Sequence, residues 1–131
     1  MAPEIEERFE AIEECYEFML AYAAQGLASD KGSKSGEQVR EFLTRAVNAL
    51  TGLTESYAEA MGDNRPTFLA VLERDASDSL AALDLVLAQP TISSQLIDNL
   101  NASVHLRALL TDVFLLGEVL RTRRIAQPAA F

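Results

Sequence analysis

Periodicity constrains this chain more than any other feature. Apolar residues recur at three- and four-residue spacing through four long runs. Nowhere do apolar and polar residues alternate as they do along a half-buried strand. The runs cover residues 3–27, 36–61, 66–89 and 92–124. Four helical segments with no strand must bury their apolar surface helix against helix. With 131 residues, 49% of them hydrophobic, the chain is long enough to do so as one domain without staples.

Turn chemistry separates the runs. Pro3 opens the first, where its missing N–H costs nothing, and Glu4, Glu6 and Glu7 follow it against the positive helix end. Gly26 closes that run. The stretch Ser29-Asp30-Lys31-Gly32-Ser33-Lys34-Ser35-Gly36 has the composition of a flexible linker, and Ser35 with Gln38 forms a candidate capping box for the second segment. Gly62 and the turn Asp63-Asn64-Arg65-Pro66 divide the second segment from the third. Pro90 ends the third, and Thr91 or Ser93 can cap the fourth.

Three short connections between long helices predict antiparallel neighbours, hence an all-α, up-down-up-down four-helix bundle over residues 1–131. Charge adds an orientation. Residues 1–27 carry seven acids and one base, whereas residues 91–131 carry three acids and four bases. Glu6, Glu7 and Glu10 are therefore expected beside Arg121, Arg123 and Arg124. Exposed pairs of this kind stabilise by only about 0–1 kcal/mol each, so they indicate direction rather than strength.

A helical wheel sorts the segments into two kinds. The second has one apolar arc (Val39, Phe42, Leu43, Ala46, Leu50, Leu53, Tyr57, Ala60, Met61) and the third another (Phe68, Leu69, Leu72, Ala76, Leu80, Leu83, Val86, Leu87). Such helices have one buried and one wet side. The first and fourth segments carry more. Beside a core stripe of Ile5, Phe9, Ile12, Tyr16, Met19, Ala23 and Leu27, the first holds Ala11, Cys15, Phe18 and Tyr22. Beside Leu106, Leu109, Leu110, Val113, Leu116 and Leu120, the fourth holds Val104, Ala108, Leu115 and Val119. One core needs one stripe per helix. The extra stripes either widen that core or form an interface, and a twofold dimer joining the first and fourth segments is the simplest closed assembly.

The chemistry-bearing residues are few. A net charge of −9 disfavours nucleic acid and anionic membranes as partners. The acidic N-terminal stretch does not read as a signal or transit peptide, and no run is apolar enough to span a bilayer, so a soluble cytoplasmic protein is expected. One cysteine and one histidine build neither a Cys-based zinc site nor an attached haem. A di-metal carboxylate bundle needs Glu-x-x-His pairs, but Ala102 stands three residues before His105. Phosphotransfer on His105 lacks a cation one turn away, since Ala108 and Leu109 occupy those positions. Asp112, two turns along the same face, is better placed than His105 to reach a partner helix. Cys15 reads as a small buried hydrophobe.

No metal, cofactor or catalytic group is expected. The function expected is a non-catalytic homodimeric interaction module, an adaptor, chaperone-like or regulatory partner, joined through Ala11, Cys15, Phe18, Tyr22, Val104, Ala108, Leu115 and Val119. The competing class is a small-ligand binder or enzyme with an inter-helix pocket near Tyr16, Tyr57 and His105.

Overall fold

A computed structural model describes residues 3–126. They form six α-helices and, among the described residues, no strand: α1 (Pro3–Ala24), α2 (Lys34–Leu50), α3 (Leu53–Met61), α4 (Leu69–Leu87), α5 (Ser94–Ala102) and α6 (His105–Ala126). The three connections marked by turn residues are present, but two of the four runs are each broken once more.

The first extra break falls at Thr51-Gly52, between α2 and α3. Gly52 takes φ +82°, a left-handed conformation that glycine adopts without the clash a Cβ brings. The guanidinium of Arg8 on α1 donates to Ala49 O at 2.8 Å and Thr51 O at 2.6 Å, so carbonyls freed at the end of α2 find a partner. The second break falls at Ser103-Val104, between α5 and α6. Val104 takes φ +60° with no glycine to relieve it.

α1 and α2 run antiparallel, as three pairs show: Arg8 with Ala49, Glu14 with Arg45 at 3.0 Å, and Phe18 stacked on Phe42 at 4.5 Å. α5 and α6 run back along α1, with the Tyr22 hydroxyl donating to Ile92 O at 2.7 Å before α5 and Phe114 set edge-on to Phe9 further along. α4 packs against α6, α2, α3 and α5. One core results, built around Ile12, Met19, Leu43, Leu53, Leu72, Leu83 and Leu109. Full burial of each such side chain is worth about 1.5–3 kcal/mol.

The Ser/Gly-rich stretch after α1 is not the flexible linker its composition suggests. Asp30 is buried in it, accepting from Ile92 N at 2.7 Å and from Arg40 Nε at 2.8 Å. Arg40 also donates to Leu87 O and Gln89 O, closing the C-terminal end of α4. Gly36 lies so close under this loop that a Cβ there would overlap the Asp30 carbonyl. The cap of α2 is Ser33, which accepts from Gly36 N at 3.0 Å, so the expected Ser35–Gln38 box moves two residues upstream. Ser93 caps α5, accepting from Leu96 N.

Among the described residues, Glu6, Glu7 and Glu10 form no ion pair with Arg121 or Arg123. Arg121 bonds Glu118 on α6 itself. Arg8 takes Glu4, and the α1 glutamate that pairs across helices is Glu14. The side chain of Arg124 lies outside the described residues.

Candidate functional site

The extra stripe of α1 is covered by this chain itself. Cys15 and Tyr22 are fully buried, and Ala11 and Phe18 are half-buried. Phe18 is sandwiched toward Phe42 and Tyr22, while the Tyr22 hydroxyl is held by Ile92 O. The cause is the position of α1, which packs on α2, α3, α5 and α6 together. A helix with neighbours on several sides needs a wide apolar arc, and the second stripe fills it.

The extra stripe of α6 is different. Val104 is 43% exposed and Leu115 52% exposed, with Ala108 and Val119 half-buried. Phe114, at 57% exposure, extends this apolar surface toward α1, where it touches Phe9 with ring centroids 5.4 Å apart. Phe114 sits between the two stripes of the wheel, so periodicity alone assigns it to neither.

A second apolar surface lies between α4 and α5. It is a groove of about 450 Å³ floored by Ala81, Ala82, Leu85, Val86, Leu96 and Leu100, with Asp78, Asn99, Ser103 and His105 around them. Leu85 is 67% exposed within it. The break at Val104 shapes this groove, because Ser103 and His105 on either side of it both line the wall. His105 lines this recess, and Tyr16 and Tyr57 do not. Tyr57 is fully buried on α3 and its hydroxyl has no partner among the described residues. Tyr16 is half-buried against the core. Sequence reasoning missed Leu85, and the available signal was a leucine lying off the Leu83–Val86–Leu87 arc.

α4 and α6 meet at two acids, Asp75 and Asp112. Asp112 is only 7% exposed, and its Oδ2 has no partner among the described residues. It reaches across to Asp75 on α4, as its place on the wheel suggested. Burial, together with the hydrogen bond and charge of Asp75, pushes the Asp112 carboxyl up to about 7. Asp112 therefore keeps its proton well above the usual carboxylate range. Neither lines the groove.

Two further groups are shifted by burial. Burial pushes the Cys15 thiol up to about 12 although Arg45 pulls the other way, so it is no nucleophile at neutral pH. Burial likewise pushes Tyr57 up to about 12. Among the described residues, no three His, Cys, Asp or Glu side chains gather to hold a metal ion. No described helix is long and apolar enough to cross a membrane. Comparison with known protein families, with curated proteins and with solved structures finds no match for this chain.

Proposed function

We propose that the chain is a non-catalytic interaction module that works as a homodimer in the cytoplasm. The observation that carries this reading is the exposure of Phe114 and Leu115 on α6 and of Val104 just before that helix, with Phe114 resting on Phe9 of α1. Exposed aromatic and aliphatic anchors set close together are what interfaces use. In this reading the dimer joins the outer face of α6 and the Phe9 edge of α1, and the inner stripe of α1 serves the monomer core. The six helices act as four antiparallel columns, with α2–α3 and α5–α6 each a single kinked column.

A twofold interface uses each anchor twice. Burying Phe114 and Leu115 is worth about 1.5–3 kcal/mol for each side chain. Sedimentation velocity tests the reading: the purified chain should run as a dimer. Phe114→Glu should yield a monomer with unchanged helical circular dichroism, while Leu20→Glu, on the exposed side of α1, should leave the dimer whole. A wild-type monomer, or a Phe114→Glu dimer, overturns it.

A further inference from the structure

α6 leans chiefly on α4 and touches α1 and α5 less. Its inner stripe, Leu109, Leu110, Val113 and Leu116, is buried. At its start the chain passes through Val104 at φ +60°, a conformation that β-branched residues rarely adopt. Among the described residues, no backbone hydrogen bond joins α5 directly to α6. Val104 N donates to Asn101 O at 3.2 Å, and Ala108 N donates to Val104 O at 2.9 Å. Both side-chain amide atoms of Asn101 are buried without a partner among the described residues. A junction of one strained residue, at the terminus of a helix, is where a hinge can absorb a change of backbone angle.

The α4–α6 seam supplies an independent observation. Asp112 is buried there with Oδ2 unpartnered, and Asp75 of α4 faces it. Two ionised carboxylates repel, and they hydrogen-bond only when one of them holds a proton. No cation acts on Asp112. Arg74 and Asp78, the charged neighbours on α4, are exposed, and α1 and α5 bring no charge to bear on it. The α6 residues one turn from it are Ala108, Leu109, Leu115 and Leu116. Ser79, one turn along α4 from Asp75, is buried as well, and its hydroxyl has no partner among the described residues. Buried oxygens left without partners weaken the packing around them.

We propose that Asp75 and Asp112 form a proton-operated latch on α6. While Asp112 is protonated, its O–H donates to Asp75 and α6 stays on α4. When that proton passes to water, both acids are charged and α6 opens about Val104. Opening carries the Asp112 carboxylate into solvent and uncovers the inner stripe of α6. It also parts Phe114 from Phe9, so the surface proposed for the dimer is complete only while the latch is closed. The latch itself rests on the α4–α6 contact and not on the dimer.

Native-state hydrogen exchange tests it, read as the opening constant of each helix after correction for the chemical exchange rate. α6 should open more readily than α2 and respond weakly to dilute urea, the mark of an opening smaller than unfolding. Its opening constant should rise about tenfold per pH unit between the ordinary aspartate value of 3.8 and about 7, then level off, because the open helix has released a proton that the closed helix keeps. Asp112→Asn keeps the shape and a donor toward Asp75. It should leave a folded chain, checked by circular dichroism, whose α6 opening is flat with pH. Phe114→Glu should keep the wild-type slope whatever it does to the dimer, which separates failure of the latch from failure of the homodimer. The latch is overturned if wild-type opening of α6 is flat with pH or if the slope survives in Asp112→Asn. It is overturned equally if α6 shares the urea dependence of α2, which would mean that α6 leaves only when the whole chain unfolds.

Discussion

The two extra breaks, at Gly52 and at Val104, solve one problem in opposite ways. Both interrupt a long apolar run, and both turn the chain through a left-handed residue. At Gly52 the turn costs little, and Arg8 binds the two nearby carbonyls. The next residue, Leu53, plunges into the core. At Val104 the turn is strained, the residue is exposed, and the Asn101 amide close by has no partner among the described residues. The difference teaches that a kink can be built for stability or tolerated for shape. The first locks α3 against α1 and α4, whereas the second leaves a groove.

Four measurements can break or sharpen that contrast. The largest effect is expected for Leu53→Ala, which opens a cavity behind the Gly52 kink and should lower stability by about 2–5 kcal/mol in urea titration. A loss under 1 kcal/mol would mean the first kink is not anchored by the core.

The next effect depends on pH. Folded Asp112 keeps its proton up to about pH 7, whereas an ordinary aspartate releases it near 3.8. Its contribution to stability is therefore full at acid pH and lost as pH rises across that window. Asp30 acts in the opposite sense. Burial raises its carboxyl, but Arg40 and the Ile92 N–H outweigh burial and hold it below the usual value. Its contribution is present at neutral pH and lost on acidification. Thermal melts should thus show a maximum between the two windows, and Asp112→Asn should raise Tm more at pH 8 than at pH 5, and least near pH 3. An equal change at pH 8 and pH 5 would refute the raised Asp112 carboxyl.

A smaller loss, about 2 kcal/mol, is expected for Arg8→Met, which strips the charged donor from Ala49 O and Thr51 O. The smallest is a gain. Val104→Gly relieves the left-handed strain and should raise stability by about 1 kcal/mol in the same titration. A loss there would show that Val104 is held by packing rather than tolerated.

The same contrast explains what the sequence could reveal. Pro66 and Pro90 announce their turns through chemistry that a helix interior resists, Gly62 through the Asp-Asn-Arg-Pro run that follows it, and the structure turns there. Gly52 is hidden because Leu50, Leu53 and Tyr57 keep helical phase across it. Val104 is hidden more deeply, since valine carries no turn signal and only tertiary packing places it at φ +60°. Asp30 misleads in the other direction. Its Ser/Gly surroundings look mobile, yet Ile92 and Arg40, 62 and 10 residues away, hold it. Of the candidate surfaces, the exposed stripe of α6 was legible from the wheel. The groove was not, because part of its lining, Ser103 and His105, flanks a break that no residue in the sequence announces.

The bonds at Asp30 bear also on the order in which the chain assembles. Helical hairpins such as α1–α2 close short loops and form early. The contact between Asp30 and Ile92 spans 62 residues and needs α1, α2 and the end of α4 already in place, since Arg40 must also find Leu87 O and Gln89 O. Interactions absent from the transition state act on the unfolding rate and leave the folding rate alone. The loop that looks most like slack in the sequence is therefore expected to close late, so that loosening it at Asp30 should speed unfolding and leave the folding rate little changed in stopped-flow kinetics.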